Sequence, residues 1–235
     1  MGYLYTQGAA RIVAEPCEYK HRFGGEPIHC IENRSDTEFV LHSLYILDTT
    51  DLAVPRVLPG RKWLPLYYPM FNDGAEIAYQ VVADDSIVVH RVYGDLFTDL
   101  WEDYQWPSNR LPEHRIGVRP LSYDDQKTLV YGFTAAEHLN DDSISKGDKE
   151  YLRRCGYPFT QVGGIQRMMQ SVPEQTCANV ECKNCDYSNQ HTVFAVVWND
   201  PVPGFKLWGE YGGYTQIIFQ MCPICQTIQV CSRCD

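Results

Sequence analysis

The sequence predicts a mainly β protein of the α+β class, in which two related β-rich halves are separated by short helices. Aromatic residues make up 13% of the 235 residues, with 16 Tyr and 5 Trp, and this composition favours strands. The 17 Gly and 14 Pro favour turns over long helices. A weak internal repeat of strand-like segments also flanks a middle segment with helical patterning.

Each copy of the repeat consists of a Gly pair, a strand-like run, a Pro-bearing turn and a second strand that begins with Trp. The Gly pairs are expected to supply a positive φ or a close approach of two strands. The first copy comprises Gly24-Gly25, Phe39–Leu47, Leu58-Pro59-Gly60 and Trp63–Pro69, and the second comprises Gly163-Gly164, Thr192–Trp198, Val202-Pro203-Gly204 and Trp208–Met221. Further strands are predicted at Gly2–Tyr5, Ile12–Ala14, Ala75–Val82 and Ser86–Val92.

The middle segment has a different pattern. Leu96, Leu100 and Trp101 stand at helical offsets. Ser122 and Thr134 are each followed three residues later by an acidic residue, as at a capped helix start, and residues 145–154 form another candidate helix. The expected organisation is therefore a first β-rich half (residues 1–92), an acidic helical or loop insertion (93–158) and a second β-rich half (159–235), with the two halves in one compact domain.

The charge of the chain restricts its partners. Its formal net charge is −10, and residues 84–150 contain 14 acidic and 7 basic residues, a net of −7. Such a protein repels phosphate and is a poor general binder of nucleic acid, whereas it suits a basic partner.

The compartment follows from what the sequence lacks. Residues 1–10 show no secretory signal, and no stretch approaches the roughly 20 apolar residues of a membrane-spanning helix. We therefore expect a cytoplasmic protein with no membrane partner, whose ten Cys are metal ligands or core thiols rather than disulfides.

Two C-x2-C pairs are the most specific motif in the chain. Cys182 and Cys185 form the first, and Cys222 and Cys225 form the second, 36 residues further on. Two such pairs joined by a β segment are typical of a zinc-ribbon-like element with four thiolate ligands. Four thiolates leave no open position for water, so the predicted Zn²⁺ is structural and fastens the C-terminal strands.

Other Cys and His residues leave alternatives open. Cys231 and Cys234 form a third pair, which replaces the second pair, stays unbound, or joins Cys177 and His191 around a second ion. The spacing of Cys17, His21, His29 and Cys30 fits no known finger pattern, so these residues are interpreted as core thiols and surface histidines.

No catalytic motif is present. The sequence contains no G-x-S-x-G, no H-E-x-x-H, no phosphate-binding G-x-x-x-x-G-K-[ST] and no G-x-G-x-x-G. Adjacent acidic pairs such as Asp84-Asp85 are typical of solvated turns. The sequence therefore predicts no catalytic residue and no enzymatic activity.

An acidic stripe within the middle segment is a candidate docking surface. Asp95, Asp99, Glu102 and Asp103 share one face if this segment is helical, and Trp101 lies among them. The carboxylates would steer a basic protein and the aromatic ring would anchor it. The alternative is an ordinary solvated face whose aromatic rings pack inward.

Several of these segments resemble the bacterial YwqG-like family, a domain of unknown function. In the first half the resemblance lies in 23–27, 41–47, 57–60 and 64–68. In the second half it lies in Val162-Gly163-Gly164, Gln170 and, above all, Leu207–Gly213, which is similar to the family's W-G-D/E-x-G element. Gln166 stands where the family usually has Pro.

The resemblance implies two β-rich halves with pseudo-twofold character, and many family members carry C-x2-C pairs. Members often occur beside bacterial polymorphic toxin genes, which suggests immunity proteins. A more distant likeness is to eukaryotic ribosomal-protein chaperones.

The sequence-based hypothesis is thus an immunity protein that binds a cognate antibacterial toxin, most plausibly a nuclease, and occludes its basic groove. A dedicated chaperone of a basic protein and an enzyme with an unrecognised site are the alternatives.

Overall fold

The computed structural model describes residues 8–33, 39–69, 75–93, 110–122, 126, 145–147, 159–164, 166, 176–183, 191–208 and 215–233. Only Gln126, Lys146 and Gly147 are helical among them, and no helix in this part of the chain is long and apolar enough to span a membrane. The described strands are β1 (Ala9–Val13), β2 (Arg22–Phe23), β3 (Cys30–Ile31), β4 (His42–Asp48), β5 (Trp63–Tyr68), β6 (Glu76–Ala83), β7 (Ser86–Tyr93), β8 (His114–Arg115), β9 (Gly117–Leu121), β10 (Gln161–Gly163), β11 (Thr192–Trp198), β12 (Gln216–Met221) and β13 (Ile228–Arg233).

These strands form two sheets. The larger has nine strands in the order β3-β7-β6-β13-β12-β11-β10-β1-β9, and the smaller has four in the order β5-β4-β2-β8. All pairs are antiparallel except β3 with β7. The larger sheet takes strands from each of the three regions that the sequence distinguishes, so the two sheets do not coincide with those regions.

One pattern of strand pairing occurs twice. In the smaller sheet β2 pairs with β4, and β4 with β5, with a bulge between Ser43 and Tyr45. In the larger sheet β10 pairs with β11, and β11 with β12, with a bulge between Val193 and Ala195. The outer neighbour of β2 is β8, and that of β10 is β1. The weak sequence repeat thus has a counterpart in strand order, register and bulge position.

Backbone conformation and close packing explain why each copy of the repeat has glycine at the first position of its Gly pair. Gly24 and Gly163 have φ values of 69° and 71°. A Cβ at Gly24 would lie 2.0 Å from the carbonyl oxygen of Pro112, and one at Gly163 would lie 2.5 Å from that of Gly8. Both positions therefore exclude a side chain for two reasons, backbone conformation and space.

The core lies between the two sheets and contains side chains from both. Its large tyrosines are fully buried, and their hydroxyl groups make hydrogen bonds across the core. The Tyr79 hydroxyl donates to the carbonyl oxygen of Pro65 at 2.8 Å, and the Tyr45 hydroxyl donates to that of Pro201 at 2.6 Å. Because a buried hydroxyl without a partner is costly, these bonds favour one arrangement of the two sheets.

The predicted β-rich composition is confirmed. The strand predicted at Thr192–Trp198 has the bounds of β11. The one predicted at Ser86–Val92 ends one residue before β7 does, and the one at Ala75–Val82 begins and ends one residue before β6. The strand predicted at Trp208–Met221 begins too early, since β12 starts at Gln216. Trp208 instead belongs to a turn, in which its backbone N–H donates to Oδ1 of Asn199 at 2.8 Å.

Part of the prediction lies outside the described residues. This applies to the strand at 2–5 and to most of the predicted helices. At Ser122 the helix start has support, because the backbone N–H of Gln126 donates to the Ser122 carbonyl at 3.1 Å. At 145–154 only residues 145–147 are described, and Lys146 and Gly147 are helical.

Candidate metal centre

Four cysteine sulfurs lie together beside the turn that joins β12 to β13. The Sγ atoms of Cys177, Cys182, Cys222 and Cys225 are all within 4.8 Å of one another. Cys177, Cys182 and Cys222 are buried, and Cys225 is partly exposed. The four residues come from two segments separated by about 40 positions in the sequence, so the fold brings the thiols together.

The sulfur distances suit a single bound ion. Cys177 and Cys225 have their Sγ atoms 3.4 Å apart, and Cys182 and Cys222 have theirs 3.7 Å apart. A disulfide requires about 2.05 Å. A tetrahedral zinc ion bound by four thiolates at about 2.3 Å separates the sulfurs by ~3.8 Å. The cluster therefore resembles a tetrathiolate metal site more than a pair of disulfides.

The turn between β12 and β13 positions two of the thiols. The Cys222 backbone N–H donates to the Thr227 carbonyl at 2.9 Å, and the Gln226 N–H donates to the Cys222 carbonyl at 3.0 Å. These bonds fold the Cys222–Cys225 pair into a tight loop. Gln226 has φ of 60° and is the only non-glycine residue with positive φ in the described ranges. The loop accepts this unfavourable conformation directly after Cys225.

The segment 176–183 positions the other two thiols. The Cys182 N–H donates to the Asn179 carbonyl at 2.9 Å, and the Asn179 side-chain oxygen accepts from the Glu181 N–H at 3.0 Å. The Ala178 N–H donates to Oε1 of Gln229 at 2.6 Å. Since Gln229 lies on β13, this bond fixes the segment against the same hairpin that carries the other pair.

The electrostatics of the cluster favour a cation. Burial opposes ionisation of Cys225, but hydrogen bonds from Thr227, Cys177 and Cys182 outweigh it and lower the pKa of this thiol to about 7. Burial raises the pKa of the Cys177 thiol, and the nearby sulfurs add to the effect. Several thiolates at this distance repel one another, and a divalent cation removes that repulsion.

The fold brings together three of the four predicted ligands, Cys182, Cys222 and Cys225. Cys185, the fourth, lies outside the described residues. Cys177 lies with them, although the sequence analysis considered it only for a second ion, together with Cys231, Cys234 and His191. Its spacing of five positions from Cys182 does not form a C-x2-C pair, so the motif gave no signal for it. The only signal was its proximity in sequence to the first pair.

The third Cys pair does not take the place of the second, because Cys222 and Cys225 are the residues that lie beside Cys182. Cys231 lies on β13 and is 2% exposed, and burial raises the pKa of its thiol to about 11. Neither Cys231 nor His191 belongs to a metal-binding group within the described residues. Cys234 lies outside these residues.

A second group of possible metal ligands includes one cysteine and one histidine that the sequence analysis interpreted as a core thiol and a surface residue. Cys17, His21 and Asp51 present ligand atoms within 4.8 Å of one another, whereas His29 and Cys30 are not part of the group. Nδ1 of His21 accepts the Asp48 backbone N–H at 3.0 Å, so Nε2 carries the proton of the neutral ring and donates it to Asp51 at 2.9 Å. Both nitrogens are thus occupied. His21 is fully buried and His29 is 5% exposed, so the prediction of surface histidines is wrong at both positions. Cys30, predicted as a core thiol, is exposed. Through its two hydrogen bonds His21 braces the fold.

The residues of the acidic stripe, Asp95, Asp99, Trp101, Glu102 and Asp103, lie outside the described residues.

Comparison of the chain with family models, with curated proteins and with solved structures finds no match. The likeness to the YwqG-like family therefore stays a prediction.

Proposed function

We propose that Cys177, Cys182, Cys222 and Cys225 bind a structural zinc ion. The proposal depends on one observation, the four sulfurs within 4.8 Å of one another. Soft thiolates in a tetrahedral set suit zinc or iron–sulfur centres. Four protein ligands would leave no position for water or substrate, so the ion would have no catalytic role.

The zinc ion would join the segment 176–183 to the β12–β13 hairpin. The Ala178–Gln229 hydrogen bond and the packing of Cys177 and Cys182 against Cys222 and Cys225 already join the segment to this hairpin. The binding free energy of the metal would therefore contribute to the stability of this part of the molecule.

Metal analysis of protein purified under reducing conditions tests the site. We expect one zinc ion per chain and no visible absorption from iron. Cys177→Ser and Cys182→Ser should lose the ion, and Cys30→Ser, at an exposed cysteine outside the cluster, should retain it. If Cys185→Ser loses the ion and Cys177→Ser does not, Cys177 is not the fourth ligand.

We also propose that the protein is a non-catalytic binding protein that neutralises an antibacterial toxin with a basic active-site groove, most plausibly a nuclease. The support is the net charge of −10 and the predicted resemblance to a family found beside toxin genes. Occlusion of a groove requires only a large complementary interface, of about 1,600 Å² in total. The proposed contacts are Asp95, Asp99, Trp101, Glu102 and Asp103.

Co-purification with the product of the neighbouring gene, and rescue of cells that express it, test this function. The double variant Asp99→Lys/Glu102→Lys should lose protection. Glu15→Lys/Asp200→Lys makes the same change of charge at two exposed acidic residues elsewhere and should protect. Full protection by the first variant would exclude this surface. Capture of a ribosomal protein from growing cells would favour the chaperone alternative.

A further inference from the structure

A cleft of about 270 Å³ opens on one face of the four-stranded sheet. This volume is slightly below the roughly 300–1,000 Å³ of sites for drug-sized ligands, so it suits a small molecule. One side of the cleft carries cationic side chains and the other carries apolar ones. The cationic side chains are those of Lys20, Arg22 and Arg115, and the apolar ones are those of Ile28, Ile46 and Trp63.

The cleft is positively charged, although the protein as a whole is negatively charged. Arg22 and Arg115 are directly opposed on β2 and β8, and like charges in this arrangement destabilise a sheet. Glu113, the one carboxylate in the cleft, forms an ion pair with Arg22. Three cations and one carboxylate leave a charge of +2, in a protein whose net charge is −10.

The two arginines are held in place by the fold. Arg115 donates from one terminal nitrogen to the carbonyl oxygens of Cys17 and Tyr19, at 3.1 and 3.2 Å. Arg22 donates to Glu113 and to the carbonyl oxygen of Glu26. Guanidinium groups fixed in this way lose little conformational freedom when an anion binds. Lys20 is exposed and forms no ion pair with a described residue.

The second copy of the repeat has the same strand pairing but no such cleft among its described residues, so the strand pairing does not require the cleft. Arg22 pairs with Ile46 and Arg115, and Gln161 pairs in the same way with Val196 and Arg11. Two residues before Gln161, at the position that corresponds to Lys20, stands Phe159.

In that copy the face is closed. Phe159 and Gln161 are 6% and 2% exposed, whereas their counterparts in the first copy, Lys20 and Arg22, are exposed and partly exposed. The guanidinium of Arg11 lies over the Phe159 ring at 5.1 Å. Gln216, which begins β12 as Trp63 begins β5, is fully buried. The same frame can therefore fill this face with its own side chains, and in the first copy it leaves the face open and cationic.

We propose that this cleft binds a small organic anion. A carboxylate or phosphate group of the ligand lies against Lys20, Arg22 and Arg115, and an apolar group of the ligand packs against Ile28, Ile46 and Trp63. The site is separate from the tetrathiolate cluster and requires neither metal nor toxin.

Calorimetric titration with four small probes tests the proposal. Phenyl phosphate and benzoate combine an anionic group with an aromatic ring, benzyl alcohol lacks the charge, and inorganic phosphate lacks the ring. We expect phenyl phosphate or benzoate to bind at least about tenfold more tightly than benzyl alcohol and inorganic phosphate, a difference of about 1.4 kcal/mol. Whichever of the two aromatic anions binds more tightly identifies the anionic group that the site prefers.

Variants locate the binding. Lys20→Glu should weaken the better probe about fivefold or more, and Lys20→Gln should have a smaller effect in the same direction. Lys146→Glu makes the same change of charge at an exposed residue outside the cleft and should bind as the parent protein does. Because Lys20 is exposed and forms no ion pair with a described residue, an unchanged melting temperature should confirm that both Lys20 variants fold.

Three results with the parent protein would overturn the proposal, and so would one result with a variant. They are the absence of binding by both aromatic anions, equal binding of benzyl alcohol, and equal binding of inorganic phosphate. Loss of affinity in Lys146→Glu as large as in Lys20→Glu would also do so, because it would show an effect of net charge alone.

Discussion

The two copies of the repeated unit have the same strand pairing and differ in their side chains and in the sites that these form. Strand order, register, bulge position and the strained glycines are the same in β2-β4-β5 and β10-β11-β12. The first copy has an open cationic face and a buried histidine brace. The second has a filled face, and its last strand continues into the hairpin that holds Cys222 and Cys225. The comparison indicates that one pattern of strand pairing, with glycine at the same positions, accommodates different side chains around it.

Loss of the proposed zinc ion should give the largest effect and should act on one copy. Cys182→Ser is expected to lower the free energy of unfolding by more than about 3 kcal/mol, because metal binding contributes to folding. Hydrogen exchange should increase in β12 and β13 and remain slow in β4 and β5. Equal acceleration in both copies would mean that the metal stabilises the whole molecule, and Cys30→Ser provides the control.

The glycines should matter equally in the two copies. Gly24→Ala and Gly163→Ala combine a positive φ with a collision against a backbone carbonyl, and each should cost about 3 kcal/mol or more. Gly60→Ala provides the matched control, since Gly60 has φ of 80° but open space around it, and it should cost about 1 kcal/mol. Urea denaturation measures all three. A similar cost at Gly60 and Gly24 would remove the close approach as the reason for glycine.

The histidine brace belongs to the first copy alone. Asp51→Ala leaves the buried Nε2–H of His21 and the Ala53 N–H without their acceptor, and should cost about 2 kcal/mol. In the second copy Thr160 stands at the position of His21. The exposed Asp200 serves as control, and Asp200→Ala should change stability by less than about 0.5 kcal/mol. Thermal denaturation that gave the two variants the same midpoint would contradict this role of the brace.

Gln226 should show the smallest effect, in the opposite direction. Gln226→Gly should stabilise the metal-bound protein by about 0.5–1 kcal/mol, because glycine adopts a φ of 60° without a steric penalty. Gln226→Ala keeps the penalty and should give no gain. A loss of stability in the glycine variant, measured with zinc present, would indicate that the glutamine side chain contributes more than its backbone costs.

The sequence predicted local structure better than long-range pairing. Thr192–Trp198 is an uninterrupted apolar and β-branched run, and β11 has the same bounds. The strand predicted from Trp208 failed at its start because Asn199, nine positions away, holds that residue in a turn. No local pattern could predict that β6 pairs with β13, since the register joins residues about 150 positions apart.

The same distinction applies to the metal centre. Cys182, Cys222 and Cys225 were found because a C-x2-C pair is a local signal. Cys177 was considered only for a second ion, because it forms no C-x2-C pair with Cys182. In the fold its Sγ lies 3.4 Å from that of Cys225, next to the hydrogen bond between Ala178 and Gln229. The cationic cleft was also invisible in the sequence, because Arg22 and Arg115 become neighbours only when β2 and β8 pair.

The position of β1 between β9 and β10 has a consequence for synthesis on the ribosome. One edge of β1 needs residues near position 120 and the other needs residues near position 160, so this strand emerges long before its second partner. The β6–β7 hairpin likewise waits for β13. A nascent chain would expose these apolar strand edges for much of translation, and a topology so dependent on distant pairing folds slowly. A chaperone that covers apolar segments during elongation would therefore benefit this protein more than a helical bundle of equal length.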